Sequence, residues 1–348
     1  MGRLFHRNYD KTWGTISLNK EQNHLEEVKS LLSNGAKIDA TDSNGASILL
    51  NIIESHPKGW KETALFLIEN GADVNLRDRN GEDALIKACR HKDGLDVVKA
   101  IKGKGASINH KSKDTSRSNR PPRPSTFALK EAVRCGNADV VDFLVDNGAK
   151  VKQKDSIGCE AIAYLECSDE NAKILKKLVE NGADVNAENW FGVTRLMEAA
   201  SKGSFSSFKY LVNSKADINK VSRAFSYDYN GNLEFVNVPE RTALSVAIDF
   251  GQLEIAEYAI KNGAEVDTNT IDRLKDLSRR KNIANNQDVD HLELKKNLLQ
   301  GMLKEKLGKT GDVKSGRVRN EHYKTAITQT EISKAAMQVK RAKGGNSK

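Results

Sequence analysis

The stretch ILKKLVENGADVN, residues 174–186, ends in a hexapeptide that the chain uses twice, because NGADVN also forms residues 70–75. In both places an apolar segment with helical spacing comes directly before the Asn-Gly-Ala sequence. Glycine at that point supplies the positive φ that commonly ends a helix. We therefore interpret the hexapeptide as the end of one structural unit and the start of the next, and not as part of an active site.

Similar Gly-Ala dipeptides recur along the chain at spacings of 33 to 48 residues. They begin at Gly35, Gly71, Gly105, Gly148, Gly182 and Gly263, and Lys215–Ala216 takes the place of a missing copy. Ahead of these dipeptides lie pairs of segments with small and apolar residues at helical spacing. Such a recurrence is typical of a solenoid, in which each unit buries its apolar face only against its neighbours.

The repeated pattern resembles the ankyrin repeat, which consists of two antiparallel helices followed by an outward β-hairpin. The resemblance covers roughly residues 12–267 and implies an all-α repeat solenoid of about seven stacked ankyrin units. The family's helix-opening Thr-Pro-Leu-His is eroded, since the chain reads SILL at Ser47, DALI at Asp83 and TALS at Thr242. The proline and the histidine are lost in every unit, and we expect a less rigid array for this reason.

The predicted domain boundaries follow the places where the repeat weakens or is interrupted. We expect a degenerate N-terminal cap repeat at 1–40, ankyrin repeats at 41–110 and 127–267, and a flexible, basic, proline-containing insertion at 111–126. Within the second group of repeats, a β-finger occupies residues 221–240. A helical C-terminal segment at 268–308 and a disordered basic tail at 309–348 complete the prediction.

Catalytic and metal-binding patterns are missing from the sequence. The seven histidines lack the His-Glu-x-x-His spacing, and the fragment GKT at residues 308–310 lacks the glycine of a phosphate loop, because Leu303 stands there. The chain has four cysteines, which we expect to be reduced and buried: Cys89, Cys135, Cys159 and Cys167. The sequence thus predicts a protein that is not an enzyme and that carries no cofactor and no metal.

Membrane and export signals are also missing. No apolar run approaches the roughly 20 residues that cross a bilayer, and the N-terminal sequence MGRLFHRNYD lacks the apolar core of a signal peptide. We therefore expect a cytoplasmic protein, and we expect it to be a monomer.

The second insertion, AFSYDYNGNLEFVNVPE, predicts a hairpin because Asn230–Gly231 is a strong turn signal between alternating apolar residues. A three-residue loop at 230–232 would place Tyr229 opposite Leu233 and Tyr227 opposite Phe235. Phe225 would lie farther along the same face. This aromatic face is either an anchor for a protein partner or a cover that folds back over the array itself.

A second candidate site is the sequence ENWFG, in which Trp190 and Phe191 occupy a predicted hairpin tip. Other units carry polar residues at this tip, in the sequences DSNG, DRNG and DSIG. Tryptophan is enriched in the energetic centres of protein interfaces. Aromatic residues at this position of ankyrin units also pack on the next hairpin, so both interpretations stay open.

Positive charge is concentrated at the C-terminus. The net charge of the chain is +9, and residues 271–348 hold 19 lysines and arginines against 9 acidic residues. This composition allows an alternative function, an adaptor that binds nucleic acid or an anionic membrane through the basic tail. The lysines are scattered and aromatic residues are nearly absent there, which makes nucleic acid the weaker prediction.

The sequence therefore favours a non-catalytic scaffold that binds a protein partner through the concave helix face, the hairpin tips and the aromatic finger. A short, degenerate array followed by a polar C-terminal tail also resembles ankyrin proteins that intracellular bacteria export into host cells. That resemblance implies a secreted effector that acts in the host cytosol.

Overall fold

The computed structural model describes residues 18–114, 124–222 and 241–266, two short strands between them, and single positions at 270, 273 and 301. The chain divides into two compact units. The first comprises Met1–Ser116 with Pro122–Ala264, and the second comprises Arg117–Pro121 with Glu265–Lys348. Almost all of the second unit, with the predicted C-terminal helix and tail, lies outside the described residues, as do residues 1–17 of the predicted cap.

Two rows of helices make up the described part of the first unit. The inner row contains α2 (Ile48–Ser55), α4 (Ala84–Ala88), α6 (Ala128–Arg134), the 3₁₀ helix Ala161–Tyr164, α9 (Arg195–Lys202) and α11 (Ala243–Asp249). The outer row contains α1 (Leu25–Ser33), α3 (Trp60–Glu69), α5 (Leu95–Gly103), α7 (Ala138–Asp146), α8 (Ala172–Glu180), α10 (Phe205–Asn213) and α12 (Leu253–Lys261). Six inner and outer pairs preceded by α1 match the predicted array of about seven units.

The core runs along the array between these rows. Within the inner row, α4 packs on α2 and α6, and α6 packs on the 3₁₀ helix. The helices α2, α4, α6, α9 and α11 also pack on the outer helix of their own unit. The second residue of every inner element is at most 1% exposed: Leu49, Leu85, Leu129, Ile162, Leu196 and Leu244. One large aliphatic side chain per unit at a fixed position gives each interface the same apolar centre, which is how a solenoid is stabilised.

The end of each unit confirms the interpretation of the Gly-Ala dipeptide. The glycine has a φ of +87° to +98° at Gly35, Gly71, Gly105, Gly148, Gly182 and Gly263. The N–H of the alanine that follows donates to the carbonyl five residues earlier, as in Ala72 to Leu67 at 3.0 Å. This is the bond that closes a Schellman motif. Lys215 takes the same left-handed conformation, with a φ of +67°, so the damaged copy ends its unit in the same way.

Four inner helices, α2, α4, α9 and α11, are still capped by a side chain although the proline and histidine are lost. The side chains of Ser47, Asp83, Thr194 and Thr242 each accept the backbone N–H three residues later. These are N-cap bonds, each worth about 1 kcal/mol.

We expected a pair of helices in every unit, and one inner element differs from this expectation. Residues 161–164 form a single 3₁₀ turn instead of a full helix, and Leu165 follows in an extended conformation. Side chains of the next unit bind the backbone that a longer helix would use internally. Arg195 Nη1 donates to the Leu165 carbonyl at 2.5 Å, and the Cys167 N–H donates to Glu198 Oε1 at 3.3 Å.

The β-finger contains an antiparallel pair, β1 (Ser226–Tyr227) and β2 (Leu233–Glu234). The predicted hairpin is therefore present, but its predicted register was wrong. Tyr227 pairs with Leu233 and not with Phe235, and Ser226 pairs with Glu234. The difference is two residues, and a slip of two leaves the alternation of faces along each strand unchanged. Phe225, Tyr229 and Phe235 lie outside the described residues.

Candidate functional site: the hairpin tips

Both insertions and the aromatic sequence ENWFG lie at one position of the unit, the tip of the hairpin. In ordinary units a backbone bridge closes a short turn, as between Thr41 and Ser47 or Glu188 and Thr194. The same bridge closes both insertions, between Lys111 and Phe127 and between Ser222 and Arg241. The proline-containing insertion and the finger are thus enlarged hairpin tips, and the described ends of both are held by the array.

The short tips share one hydrogen-bonding pattern. The side-chain Oδ1 of the first turn residue accepts the backbone N–H groups two and four residues further on, at 2.8–3.1 Å. The turn residues are Asp42, Asp78, Asp155 and Asn189. Because the side chain satisfies two turn donors, the two residues at the top of the turn are free to vary.

Trp190 and Phe191 occupy those two variable positions in the Asn189 turn. Trp190 is 40% exposed and Phe191 is 50% exposed. The equivalent residues Ser43 and Asn44 are polar and exposed. The turn itself therefore does not require aromatic residues, and a considerable part of each aromatic ring is in contact with solvent.

The Trp190 hairpin lies directly beside the hairpin that carries the finger. Lys220 Nζ is 3.0 Å from Glu188 Oε1, and the N–H of Asp217 donates to Asn186 Oδ1 at 2.7 Å. Trp190 and Phe191 therefore lie on the hairpin next to the one that carries β1 and β2. These two strands contain Tyr227 and Leu233. The role of these residues in binding a partner stays a prediction.

Sequence reasoning missed a network of charges that crosses the inner row. The ammonium of Lys87, only 6% exposed, lies 2.8 Å from Glu54, 2.9 Å from Asp78 and 3.4 Å from Glu82. Arg90 binds Glu82 through both Nη atoms, at 2.9 and 2.7 Å. We call these residues, with Glu131, the inner charge network.

Glu131 extends the inner charge network into the next unit. Its Oε2 accepts Arg90 Nε at 3.1 Å and Arg134 Nη2 at 2.8 Å, and Thr126 donates its hydroxyl to Oε1. Burial by itself would raise the pKa of Glu131, but Arg90, Thr126 and Arg134 outweigh it and hold the pKa at about 2. The carboxylate is therefore ionised, and its charge is matched inside the protein. Arg90 and Glu131 are 41 residues apart, so no local pattern in the sequence indicates this contact.

The cysteines do not form a reactive site. All four are free thiols; Cys89, Cys159 and Cys167 are buried as expected, while Cys135 is only partly buried, which corrects the prediction. Burial raises the pKa of Cys167 to about 12 and raises that of Cys89 well above its usual range. Such thiols are protonated at neutral pH, and only the thiolate is a nucleophile or a metal ligand.

His91, two residues after Cys89, has aromatic neighbours. The His91 ring stacks on His56, with ring centroids 4.4 Å apart, and lies 5.0 Å from the ring of Trp60. Among the residues that the structure describes, no group of three or more His, Cys, Asp or Glu side chains is placed to hold a metal ion. In the same part of the chain, no helix is long and apolar enough to span a bilayer.

Stacked helix pairs with outward hairpins define a class of repeat scaffold, and comparison with known proteins identifies the family. The family model for ankyrin repeats in three copies matches residues 18–112 and 164–270, more than half of the chain. The chain belongs to the ankyrin repeat family, as its resemblance implied.

Individual relatives match parts of the array. The chain is 28% identical over 219 residues to the human SH3 and multiple ankyrin repeat domains protein 2, covering 53% of this chain and 10% of that protein. It is 29% identical over 138 residues to a putative ankyrin repeat protein of fowlpox virus, covering 39% and 38% of the two chains. Human protein phosphatase 1 regulatory subunit 27 is 40% identical over 62 residues, 18% of this chain and 40% of that protein. The chain spans less than half the length of each of these relatives.

Proposed function

We propose that this protein is a non-catalytic scaffold that binds a protein partner at its hairpin tips, through Trp190, Phe191 and the neighbouring β-finger. The observation that carries the proposal is the exposure of two adjacent aromatic rings on a turn whose own hydrogen bonds do not need them. Aromatic side chains contribute large contact areas when an interface covers them. Membership of the ankyrin family and relatives named as a multiple ankyrin repeat protein and a phosphatase regulatory subunit support a binding role.

The array offers its own template for testing this proposal. Trp190→Ser combined with Phe191→Asn gives the turn the two residues that Ser43 and Asn44 supply elsewhere in the chain. We expect this double variant to fold normally. After cross-linking in cell lysate, it should lack partners that the wild-type protein retains. Those partners should also be lost when residues 225–235 are deleted.

Phe250 provides a matched control, because it is 54% exposed and lies at the end of an inner helix instead of a hairpin tip. The Phe250→Ser variant should retain the same partners. If the Trp190→Ser/Phe191→Asn variant and the Phe250→Ser variant bind the same set of partners, the hairpin tip is not the binding surface.

The narrower proposal of an exported bacterial effector rests on the order of the sequence, a short array followed by a basic segment. A translocation reporter fused to the full chain, compared with the same fusion lacking residues 309–348, tests it. Loss of delivery without the tail supports export through that segment, and equal delivery or none in both fusions contradicts it.

A further inference from the structure

An open pocket of about 600 Å³ lies between the hairpins of the units that precede the Trp190 tip. It is lined by Asn109, Lys111, Lys150, Val151, Lys152, Gln153 and Asn181. We call it the lysine pocket. Val151 is buried, while Lys111, Lys150 and Lys152 are exposed. The lining thus combines one buried apolar side chain with three exposed lysines.

Hydrogen bonds between side-chain amides and the backbone hold the walls of the lysine pocket in place. Asn109 bridges the two hairpins, since its Nδ2 donates to the Gly148 carbonyl at 3.0 Å and its Oδ1 accepts the Lys150 N–H at 2.8 Å. Gln153 Nε2 donates to the Asn109 carbonyl at 3.3 Å. A pocket whose backbone is fixed before binding loses little entropy when it is occupied.

The Lys111 ammonium donates to the Lys154 carbonyl at 3.4 Å, but no described carboxylate balances the lysine charges of the lysine pocket. Within the described residues, Lys111, Lys150 and Lys152 form no ion pair. The nearby carboxylate of Asp155 is buried and already binds Lys130 Nζ at 2.7 Å. By contrast, α8 places Lys173 at 2.7 Å from Asp142 and Lys177 at 2.6 Å from Asp146. Like charges gathered around one concavity repel one another and attract an anion.

We propose that the lysine pocket binds an acidic peptide segment of the partner protein, one with clustered aspartate or glutamate side chains. This inference rests on the proposed role as a protein-binding scaffold and adds the chemistry of the partner. The lining includes no arginine, whose planar fork would select phosphate or carboxylate in a bidentate geometry. The flexible side chains of lysines instead respond to the density of negative charge on the ligand.

The lining also decides between a peptide and a nucleic acid. Single-stranded nucleic acid is held by aromatic side chains on which its bases stack, and the lining of the lysine pocket contains none. A peptide needs no such platform. An acidic peptide is therefore the occupant that the pocket fits.

The test measures binding of a fluorescein-labelled oligoglutamate peptide to the full chain by fluorescence anisotropy. The variant Lys111→Gln/Lys150→Gln/Lys152→Gln should weaken binding about ten-fold, since each exposed charge contributes modestly. The control Lys173→Gln/Lys176→Gln/Lys177→Gln removes the same charge from α8 and should change the affinity less than about two-fold. The control also accounts for binding to the basic C-terminal residues, which both variants retain.

Equal weakening by the two triple variants, or none in the pocket variant, would overturn the inference. So would tighter binding of oligothymidylate than of oligoglutamate with the same dependence on the pocket lysines, because the site would then be a nucleic-acid site. Lysine acetylation read by mass spectrometry gives a second measurement on the wild type. Bound oligoglutamate should protect Lys150 and Lys152 more than Lys176, and protection confined to residues beyond 266 would contradict the assignment.

The exchange Trp190→Ser/Phe191→Asn should leave oligoglutamate binding unchanged. Failure of the lysine pocket is therefore distinguishable from failure of the hairpin tips to bind protein, because each has its own variant and its own probe.

Discussion

Lys87 and Lys150 show two ways in which one repeat architecture uses the same residue type. The ammonium of Lys87 lies within 3.4 Å of three carboxylates and is almost completely buried. Lys150 lies at a hairpin, exposed and without an ion pair in the described structure. Charges of the inner row are matched within the protein and hold units together, whereas Lys150, Lys152 and a large part of Trp190 and Phe191 at the hairpins are exposed to solvent. A partner is therefore expected to bind at the hairpins.

The largest expected effect comes from breaking the inner charge network. Lys87→Ala leaves the buried Asp78 carboxylate without its ammonium partner. Removing one partner of a buried pair typically costs about 3–5 kcal/mol, so we expect a loss of about 3 kcal/mol in the free energy of unfolding. Lys150→Ala should change it by less than about 0.5 kcal/mol. Urea unfolding followed by far-UV circular dichroism measures both. Similar losses in the two variants would remove the distinction between the regions.

An intermediate effect is expected from acid. Since the pKa of Glu131 is about 2 in the folded protein and 4.5 ordinarily, its contribution to stability is complete above pH 4.5 and is lost as the pH falls toward 2. Between pH about 5 and pH about 3 the free energy of unfolding should fall by about 2 kcal/mol through this one group. Glu131→Gln should be less stable at pH about 5 and should lose less on acidification. A variant with the full acid sensitivity of the wild type would show that Glu131 is not the responsible group.

Apart from the Lys150→Ala control, the smallest expected effect on stability is that of the tip exchange. Trp190→Ser/Phe191→Asn removes rings that are about half exposed from a turn held by Asn189, so the free energy of unfolding should fall by less than about 1 kcal/mol. The measurement is the same urea titration. A fall of several kcal/mol would mean that the rings pack on the next hairpin, which is the alternative that the sequence left open for them.

The sequence was sufficient for features that a single segment determines. The Gly-Ala dipeptides predicted every unit end, including that at Lys215, because a left-handed residue after a helix is a local requirement. Asn230–Gly231 predicted the hairpin of the finger for the same reason. Its register depends on the whole length of both strands, and there the prediction was wrong by two residues.

Features that depend on neighbouring units could not be predicted from one segment. The short inner element at Ala161–Tyr164 reflects side chains of Arg195 and Glu198 that bind its backbone from the next unit. The inner charge network joins Lys87 to Glu54 and Arg90 to Glu131 across unit boundaries. The lysine pocket likewise arises where two hairpins meet. Once the period of the repeat is known, the side chains at equivalent positions in adjacent units can be compared, and that is the signal that would have found these contacts.

The bridge that closes each hairpin tip has a consequence for how such a protein changes over time and for how it can be engineered. Lys111–Phe127 and Ser222–Arg241 are joined as Thr41 and Ser47 are, although much longer segments lie between them. The array therefore accepts added sequence at this point without altering the helices on either side. New binding loops can be acquired there one unit at a time, and a foreign epitope inserted between Ser43 and Asn44 should be displayed on an otherwise intact array.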